Sequence, residues 1–223
     1  MITILHTYYP PEESLKSLNL KNTYWTHSGY WDPKWEKEFE CDHRYIISNR
    51  GKDIGGKLFA FQALLEKSVH EKYVLFLHDK KSPQVIDGTQ WKNNLWSINN
   101  KIDKAIEILE QDATIGIIAN KSSIIDPKKS GENYAYAKNR ELLFSEATQY
   151  EIMVKNKSFV AGVTFIARLQ PYLEFFKAHS PLLIRAKLEE GNVLDIEKGT
   201  YTHSWERLLS WILTSKGYGI ASV

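Results

Sequence analysis

Three short polar clusters contain the residue types from which an active site could be built. They are residues 49–53 (Asn-Arg-Gly-Lys-Asp), 78–82 (His-Asp-Lys-Lys-Ser) and 203–207 (His-Ser-Trp-Glu-Arg). Carboxylates and imidazoles can transfer protons, and ammonium and guanidinium groups bind phosphate oxygens. The three clusters therefore predict a site that binds an anionic ligand and moves a proton.

The first cluster precedes a predicted helix and can be interpreted in two ways. The backbone from Asn49 to Gly51 can form a nest of N–H groups that binds an anion with the help of the helix dipole. Arg50 and Lys52 would add positive charge, and Asp53 would accept a hydrogen bond from a ribose, a sugar or a uracil-like group. Alternatively, Asp53 is an N-cap that accepts an amide N–H of the first helical turn. The residues alone leave both interpretations open.

The second cluster follows a short, wholly apolar run. Charged groups at such a place are costly unless they are solvated or used, so this loop is a candidate for function. His78 and Asp79 could hold a divalent cation that bridges a diphosphate. Alternatively, Lys80 and Lys81, followed by Ser82, neutralise the diphosphate directly without a metal. The bland alternative is a solvated turn.

The third cluster lies near the start of the last predicted helix. His203 and Glu206 are three residues apart and therefore share one helix face. A glutamate directed into a crevice can act as general base toward a hydroxyl nucleophile. Alternatively, Glu206 and Arg207 form an ordinary surface pair and His203 is a capping or core residue. A metal-dependent hydrolase built on His78, Asp79 and His203 is disfavoured because these ligands share no recognised spacing.

The elements that must position these clusters follow from apolar periodicity. Strands are predicted at 2–6, 43–48, 73–77, 115–119, 159–168 and 218–223, and helices at 55–70, 91–110, 134–149, 171–178, 181–190 and 199–216. Residues 22–39 are predicted as loop with one short helix, and 120–131 as a polar loop. This alternation indicates a single α/β domain over residues 1–223, with a mostly parallel central sheet flanked by helices. In such sheets ligands bind beyond the carboxyl ends of the strands, where the first two clusters belong.

Composition narrows the class of protein. The 223 residues are 43% hydrophobic and 25% charged, as in an ordinary globular protein, and the net charge of +2 gives no reason to expect nucleic acid as a partner. The single cysteine, Cys41, favours a reducing compartment. No window approaches about 18 uninterrupted apolar residues, so no transmembrane helix is expected. Serine hydrolase, zincin and dithiol redox signatures are absent from the sequence.

Five segments together resemble the rhamnan synthesis protein F family, glycosyltransferase-type domains of bacterial surface polysaccharide synthesis. They follow in family order at 6–10 (His-Thr-Tyr-Tyr-Pro), 49–54 (Asn-Arg-Gly-Lys-Asp-Ile), 77–82 (Leu-His-Asp-Lys-Lys-Ser), 159–168 (Phe-Val-Ala-Gly-Val-Thr-Phe-Ile-Ala-Arg) and 199–208 (Gly-Thr-Tyr-Thr-His-Ser-Trp-Glu-Arg-Leu). The chain departs from the family pattern His-Thr-Lys-Lys-Ser by carrying Asp79 in its second place. It is also similar to GT-A glycosyltransferases, although it lacks a second carboxylate in that loop.

The resemblance implies a GT-A-like (Rossmann-like) fold and an inverting transfer of rhamnose or another deoxyhexose or hexose. The donor would be a nucleoside-diphosphate sugar, and the acceptor a glycan or lipid-linked precursor of a surface polysaccharide such as lipopolysaccharide. A cytoplasmic location is expected, and association with the inner face of the membrane through a partner is left open. Glu206 and His203 are the implied catalytic residues. The implied donor and diphosphate site is His6, Tyr8, Asn49, Arg50, Gly51, Asp53, His78, Asp79, Lys80, Lys81 and Ser82; Gly162 and Arg168 are assigned to the acceptor, and Asp79 to a metal if one binds. The rival hypothesis is a non-catalytic nucleotide- or carbohydrate-binding module of a larger synthase.

Overall fold

The protein is built around a seven-stranded sheet with the order β3-β2-β1-β4-β8-β5-β9. The computed structural model describes residues 1–79 and 96–223. Its strands are β1 Ile2–Thr7, β2 Thr23–His27, β3 His43–Ile46, β4 Tyr73–His78, β5 Ile115–Ala119, β6 Ile124–Ile125, β7 Phe159–Val160, β8 Phe165–Arg168 and β9 Gly219–Ser222. Strands β3, β2, β1 and β4 are parallel, β8 is antiparallel to β4 and β5, and β5 is parallel to β9. The short strands β6 and β7 form a separate antiparallel pair. The predicted mostly parallel α/β architecture is confirmed.

Helices cover both faces of this sheet. The α-helices of the described residues are α1 Trp35–Glu38, α2 Lys52–Leu65, α3 Ile102–Gln111, α4 Pro127–Ser130, α5 Glu132–Tyr136, α6 Arg140–Gln149, α7 Gln170–Ala178, α8 Pro181–Lys187 and α9 Tyr201–Ser215. Short 3-10 helices span Glu13–Ser17, Leu20–Asn22, Ser97–Lys101, Lys121–Ser123 and Ala137–Asn139. Over residues 1–79 and 96–223, none of the helices has the length and apolar character needed to cross a membrane.

Alternation along the strands divides the core into two layers. In β4, Val74 and Phe76 face a layer formed with α2, α7 and α9, whereas Leu75 and Leu77 face the opposite layer, which contains α3. Side chains of a strand point alternately to the two faces, so a strand apolar throughout must be covered on both sides. The continuous apolar sequence of β4 is therefore the sequence counterpart of its central position in the sheet.

The prediction of an irregular segment over residues 22–39 was wrong for its first part. Residues 23–27 (Thr-Tyr-Trp-Thr-His) form the buried strand β2, which pairs in parallel with both β1 and β3. All five residues are buried. Threonine and the aromatic residues suit a pleated, packed surface, so the composition carried a strand signal. The tryptophans of this region belong to the core: Trp25 and Trp35 are buried and pack with Phe39.

The strand predicted over residues 159–168 is two strands separated by a tight turn. Gly162 has φ 75° and Val163 has φ 41°, both in the left-handed region. That geometry is incompatible with a continuous strand and explains why a glycine lies here. As a consequence, β7 pairs with β6 whereas β8 crosses to the central sheet between β4 and β5.

Other boundaries differ in smaller ways. The predicted helix 134–149 is interrupted at Ala137, whose φ is 49°, and the predicted loop 120–131 contains β6 and α4. The predicted helix 91–110 lies partly outside the described residues; its described part is a 3-10 turn followed by α3. The final helix is confirmed, ending before Gly217, whose φ of 90° is suited to glycine.

Candidate functional site

A pocket of about 350 Å³ opens beyond the carboxyl ends of β1 and β4. This is the place where open α/β sheets bind ligands. The start of α2, the turn before β8, the segment before α9 and the first turns of α9 complete its walls. The lining residues are His6, Tyr8, Tyr9, Asn49, Lys52, Asp53, Ile54, His78, Asp79, Gly162, Asn192, Leu194, Asp195, Ile196, Thr202, His203 and Glu206. The structure thus brings together residues from all three polar clusters.

Asp79 joins the ends of β1 and β4. Its carboxylate accepts hydrogen bonds from the backbone N–H groups of Tyr8, at 3.0 and 2.8 Å, and of Tyr9, at 2.7 Å. Its own N–H donates to the carbonyl of His6. A carboxylate that accepts several amide hydrogen bonds is held in place and stabilised in its ionised form. Asp79 therefore fixes the Tyr8-Tyr9 backbone at the pocket mouth.

Asp53 is not the N-cap of α2. That position is occupied by Gly51 with φ 76°, and no side chain caps the helix. The carboxylate of Asp53 instead accepts a hydrogen bond from Lys57 Nζ at 2.6 Å, one helical turn later. His78 Nδ1 lies 3.3 Å from the same ammonium and 3.6 Å from Asp53 Oδ2. Asp53, Lys57 and His78 thus form one charged cluster at the base of the pocket.

The charge state of this cluster follows from its surroundings. Burial alone would raise the pKa of Asp53, but the positive charge of Lys57, together with His78, outweighs burial and holds that pKa well below its usual range. The Lys57 side chain is 0% exposed. A buried ammonium needs a carboxylate nearby, and Asp53 supplies it.

His6 lies beside this cluster as a neutral imidazole. Burial is the main cause that lowers its pKa to about 3, and the nearby Asp53 only partly opposes the shift. Its two ring nitrogens pair with Thr26 Oγ1 at 2.9 Å and Ser28 Oγ at 3.1 Å. A Cβ on Gly56 would lie 2.1 Å from His6 Nδ1, so a glycine in α2 makes room for this ring.

Glu206 approaches the pocket from the second turn of α9. Its Oε1 accepts a hydrogen bond from the backbone N–H of Gly162 at 2.7 Å. The left-handed turn at Gly162 thus presents an amide to the carboxylate. The second oxygen, Oε2, has no hydrogen-bond partner among the side chains and backbone groups of residues 1–79 and 96–223. One oxygen is oriented and the other is available to a ligand.

His203 is held at the beginning of the same helix. Thr200 is the N-cap of α9 and accepts the His203 N–H, while its hydroxyl also lies 2.6 Å from His203 Nδ1. Burial lowers the pKa of His203, an effect that the negative charges of Asp195 and Glu206 oppose. The imidazole therefore lies within electrostatic range of two pocket carboxylates.

The segment before α9, residues 189–199, forms a wall that sequence analysis missed. The N–H of Gly51 donates to the carbonyl of Glu189, and the N–H of Gly191 donates to the carbonyl of Asn49, so the segment is tied to the α2 loop. The carboxylate of Glu189 caps α9 by accepting from the N–H groups of Tyr201 and Thr202. Because the Gly51 amide is already used, the predicted anion nest does not form through this group.

Asp195 and Lys57 are the pocket-region charges that the sequence interpretation overlooked. Asp195 Oδ2 accepts a hydrogen bond from Asn139 Nδ2 at 2.5 Å, across 56 residues of sequence. No local spacing signals that contact. Lys57 did carry a signal, since it follows Asp53 by four residues on a helix face that is otherwise apolar.

Several predicted site residues lie elsewhere. The Arg50 guanidinium donates to the carbonyls of Ala186 and Leu188 and pairs with Glu190, so it stabilises the loop and does not line the pocket. Arg168 lies at the opposite end of β8, opposite Tyr73. Its guanidinium donates to the carbonyls of Ile115, Leu109 and Asp112. The acceptor role predicted for Arg168 in this pocket is therefore not compatible with its position.

Lys80, Lys81 and Ser82 lie outside the described residues. Within residues 1–79 and 96–223, no group of three or more His, Cys, Asp or Glu side chains has the arrangement of a metal site. Asp79, the predicted metal ligand, uses both carboxylate oxygens to accept backbone N–H groups. These described residues therefore do not fit a dedicated divalent-cation site.

The fold and pocket define an α/β protein with a polar, carboxylate-lined cleft at the carboxyl edge of its sheet. A model of the rhamnan synthesis protein F family matches residues 36–218. Because this match covers well over half of the chain, the protein belongs to that family, which confirms the resemblance found in its motifs. Membership associates the chain with polysaccharide biosynthesis.

The individual relatives share only low sequence identity with this chain. The chain is 26% identical over 180 residues to the uncharacterized protein WxcX of Xanthomonas campestris pv. campestris, in strains B100 and ATCC 33913. The match covers 79% of this chain but 24% of each relative, so the chain spans about a quarter of their length. Among solved structures, the chain is similar to the apo structure of the bifunctional glycosyltransferase WbbM. The alignment covers the whole of this chain and 44% of the WbbM chain, with 13% sequence identity and a TM-score of 0.44.

Proposed function

We propose that the protein is a nucleoside-diphosphate-sugar-dependent glycosyltransferase with a GT-A-like domain, acting in the synthesis of a bacterial surface polysaccharide. The observation that carries the proposal is the arrangement of Glu206. Its Oε1 is fixed by the Gly162 amide, its Oε2 carries no hydrogen bond within the described part of the chain, and the pocket extends from it to the ends of β1 and β4. A carboxylate held in this way is suited to be a general base.

The proposed reaction is a single displacement. Glu206 removes the proton from an acceptor hydroxyl as that oxygen bonds to the anomeric carbon of the donor sugar. The bond from the anomeric carbon to the diphosphate oxygen breaks on the opposite face, and its electron pair leaves with the nucleoside diphosphate. Attack opposite to the leaving group inverts the anomeric centre. The family name supports rhamnose as the transferred sugar.

The leaving diphosphate needs positive charge, and stabilising such developing charge is usually the largest catalytic term. Lys52 lines the pocket, with its Nζ donating to the carbonyl of Val193. Lys80 and Lys81, which follow Asp79 in sequence, are proposed as the further cations. His78 and His6 contribute polar ring nitrogens at the pocket base.

The direct test replaces Glu206 with glutamine. The amide oxygen of glutamine can still accept the Gly162 N–H, but the side chain can no longer take a proton. We expect turnover to fall by about 10²–10⁴-fold while nucleoside diphosphate affinity, measured by calorimetry, changes less than about threefold. Glu174→Gln is the matched control, because Glu174 lies on the solvent-exposed side of α7 and pairs with Lys216. Unchanged turnover in Glu206→Gln would remove the base assignment.

A second function is a binding module within a larger synthase, and it is favoured by the coverage of the relatives. The chain corresponds to about a quarter of their length, as a domain of a longer protein would. This hypothesis predicts calorimetric binding of nucleoside diphosphates without sugar transfer or donor hydrolysis across a panel of donors. Turnover of any one donor would exclude it. On either hypothesis we propose that the protein works in the cytoplasm and meets the membrane only through partners.

A further inference from the structure

The pocket mouth carries two apolar side chains that contact solvent. Ile196 is 69% exposed and Leu194 is 44% exposed, and both line the pocket. The other large apolar side chains that are exposed in residues 1–79 and 96–223 lie outside this lining. Apolar surface beside a polar cleft is stabilised when a ligand covers it. These two positions therefore indicate where the apolar part of a ligand rests.

A polar group next to these side chains has an unused acceptor. Asp195, between Leu194 and Ile196, is anchored through Oδ2 by Asn139, whose Oδ1 in turn accepts the Thr200 N–H. Asp195 Oδ1 has no hydrogen-bond partner within the described ranges. The wall thus offers one carboxylate oxygen for donors of a ligand.

This combination fits a pyranose ring. Its hydroxyl groups donate hydrogen bonds in the plane of the ring, while its C–H face is apolar. Binding sites typically combine an apolar surface with a few well-placed polar groups. A diphosphate would not match, because it brings no donors to Asp195 and would be repelled by its negative charge.

We infer that the segment 192–196 is a sugar subsite that binds the terminal pyranose of the glycan acceptor. Asp195 accepts a hydrogen bond from one of its hydroxyl groups, and Leu194 and Ile196 cover its apolar face. The identification of this sugar as the acceptor rests on the proposed function, in which Glu206, in the same pocket, deprotonates the hydroxyl group that reacts. Asp195, His203 and Glu206 all line this pocket.

The test measures sugar binding separately from transfer. The probe is a rhamnose-terminated oligosaccharide, titrated by saturation-transfer NMR without any donor, and a nucleoside diphosphate is titrated in parallel by calorimetry. Ile196→Ser should raise the oligosaccharide Kd about tenfold, which is what the loss of one covered aliphatic side chain costs. Asp195→Asn should raise it about five- to tenfold, since its amide oxygen still accepts from Asn139 but the charged acceptor is lost. The nucleotide Kd should change less than about twofold.

Ile46→Ser is the matched control, because Ile46 is 53% exposed on the edge strand β3 and lies outside the pocket. The inference is overturned if the wild-type protein binds no oligosaccharide, if Ile46→Ser weakens binding as much as Ile196→Ser, or if the two pocket variants weaken the nucleotide instead. Oligosaccharide binding that depends on Ile196, without transfer from any donor, leaves the sugar subsite standing and removes the transferase proposal. Sugar transfer that is unchanged in Ile196→Ser and Asp195→Asn supports the transferase proposal and removes the sugar subsite.

Discussion

The two walls of the pocket hold their carboxylates in different ways. On the α2 wall, formed by Asp53 and Asp79, every carboxylate is neutralised or fully engaged: Asp53 pairs with Lys57, and Asp79 accepts the N–H groups that follow β1. On the α9 wall, formed by Asp195 and Glu206, each carboxylate is oriented by one hydrogen bond to one oxygen. The second oxygen of each accepts no hydrogen bond from residues 1–79 and 96–223.

We propose that this difference separates carboxylates that stabilise the fold from carboxylates that act on a ligand. An ion pair with a buried ammonium stabilises the charged form of Asp53 so strongly that it cannot exchange a proton near neutral pH. A general base must accept a proton at the working pH, and the ion pair with Lys57 excludes Asp53 from that role. The contrast makes isosteric carboxylate-to-amide changes on the two walls a direct comparison.

The largest effect on stability is expected for Asp53→Asn. The substitution removes the carboxylate 2.6 Å from Lys57, whose side chain is 0% exposed. Breaking a buried pair from one side typically costs about 3–5 kcal/mol, because the remaining charge stays desolvated. Urea denaturation should therefore show a free energy of unfolding lower by about that amount. The double variant Asp53→Asn with Lys57→Met should recover most of the loss; a loss of under about 1 kcal/mol in Asp53→Asn would contradict the pairing.

His6, on β1 beside the α2 wall, should make the stability of the fold depend on pH. Its pKa in the folded protein is about 3, whereas an unfolded histidine titrates near about 6.5. Below that value the unfolded chain takes up a proton that the folded protein does not, so falling pH destabilises the fold by up to about 1.4 kcal/mol per pH unit. His6→Gln should flatten the decline of unfolding free energy between about pH 6 and pH 4.5. Parallel profiles for the two proteins would show that His6 is not buried as a neutral ring.

The sequence predicted the pocket residues of the α2 wall better than those of the α9 wall, and the reason is physical. Asn49, Asp53 and His78 lie at the ends of strongly patterned elements, and the rule for parallel sheets puts such ends at one edge. Asp195 belongs to a segment without regular structure, held by Asn139 and by the backbone at Asn49 through long-range contacts. Such contacts leave no periodic signal, so neither Asp195 nor Ile196 could be found from spacing.

Arg168 shows the same limit from the other direction. Its motif predicted a site residue, but β8 is antiparallel to its neighbours and carries Arg168 to the edge of the sheet away from Gly162. Strand direction is a property of the whole sheet, and here it was hidden by the turn at Gly162 and Val163. The motif correctly indicated family membership and misled on the position of this side chain.

Arg168→Met should accordingly affect stability and leave the site unchanged. The guanidinium donates to three backbone carbonyls near the end of α3 and the start of β5, and hydrogen bonds of charged donors contribute about 1.5–3 kcal/mol. Because Arg168 is partly exposed, water replaces part of this, and a loss of about 1–2 kcal/mol is expected. Oligosaccharide and nucleotide affinities should match those of the wild type. A selective loss of oligosaccharide binding would return Arg168 to the acceptor site.

The smallest change in stability is expected where the largest change in activity is proposed. Glu206→Gln keeps an oxygen for the Gly162 N–H and removes a charge that forms no ion pair with residues 1–79 and 96–223, so the free energy of unfolding should change by less than about 0.5 kcal/mol. Glu206→Gln and Asp53→Asn are measured by the same urea titration, and each replaces one carboxylate oxygen by an amide nitrogen. The difference between their unfolding free energies therefore compares the contributions of the two carboxylates to stability. A loss as large as that of Asp53→Asn would mean that Glu206 also serves the fold, and its effect on turnover could then no longer be attributed to proton transfer alone.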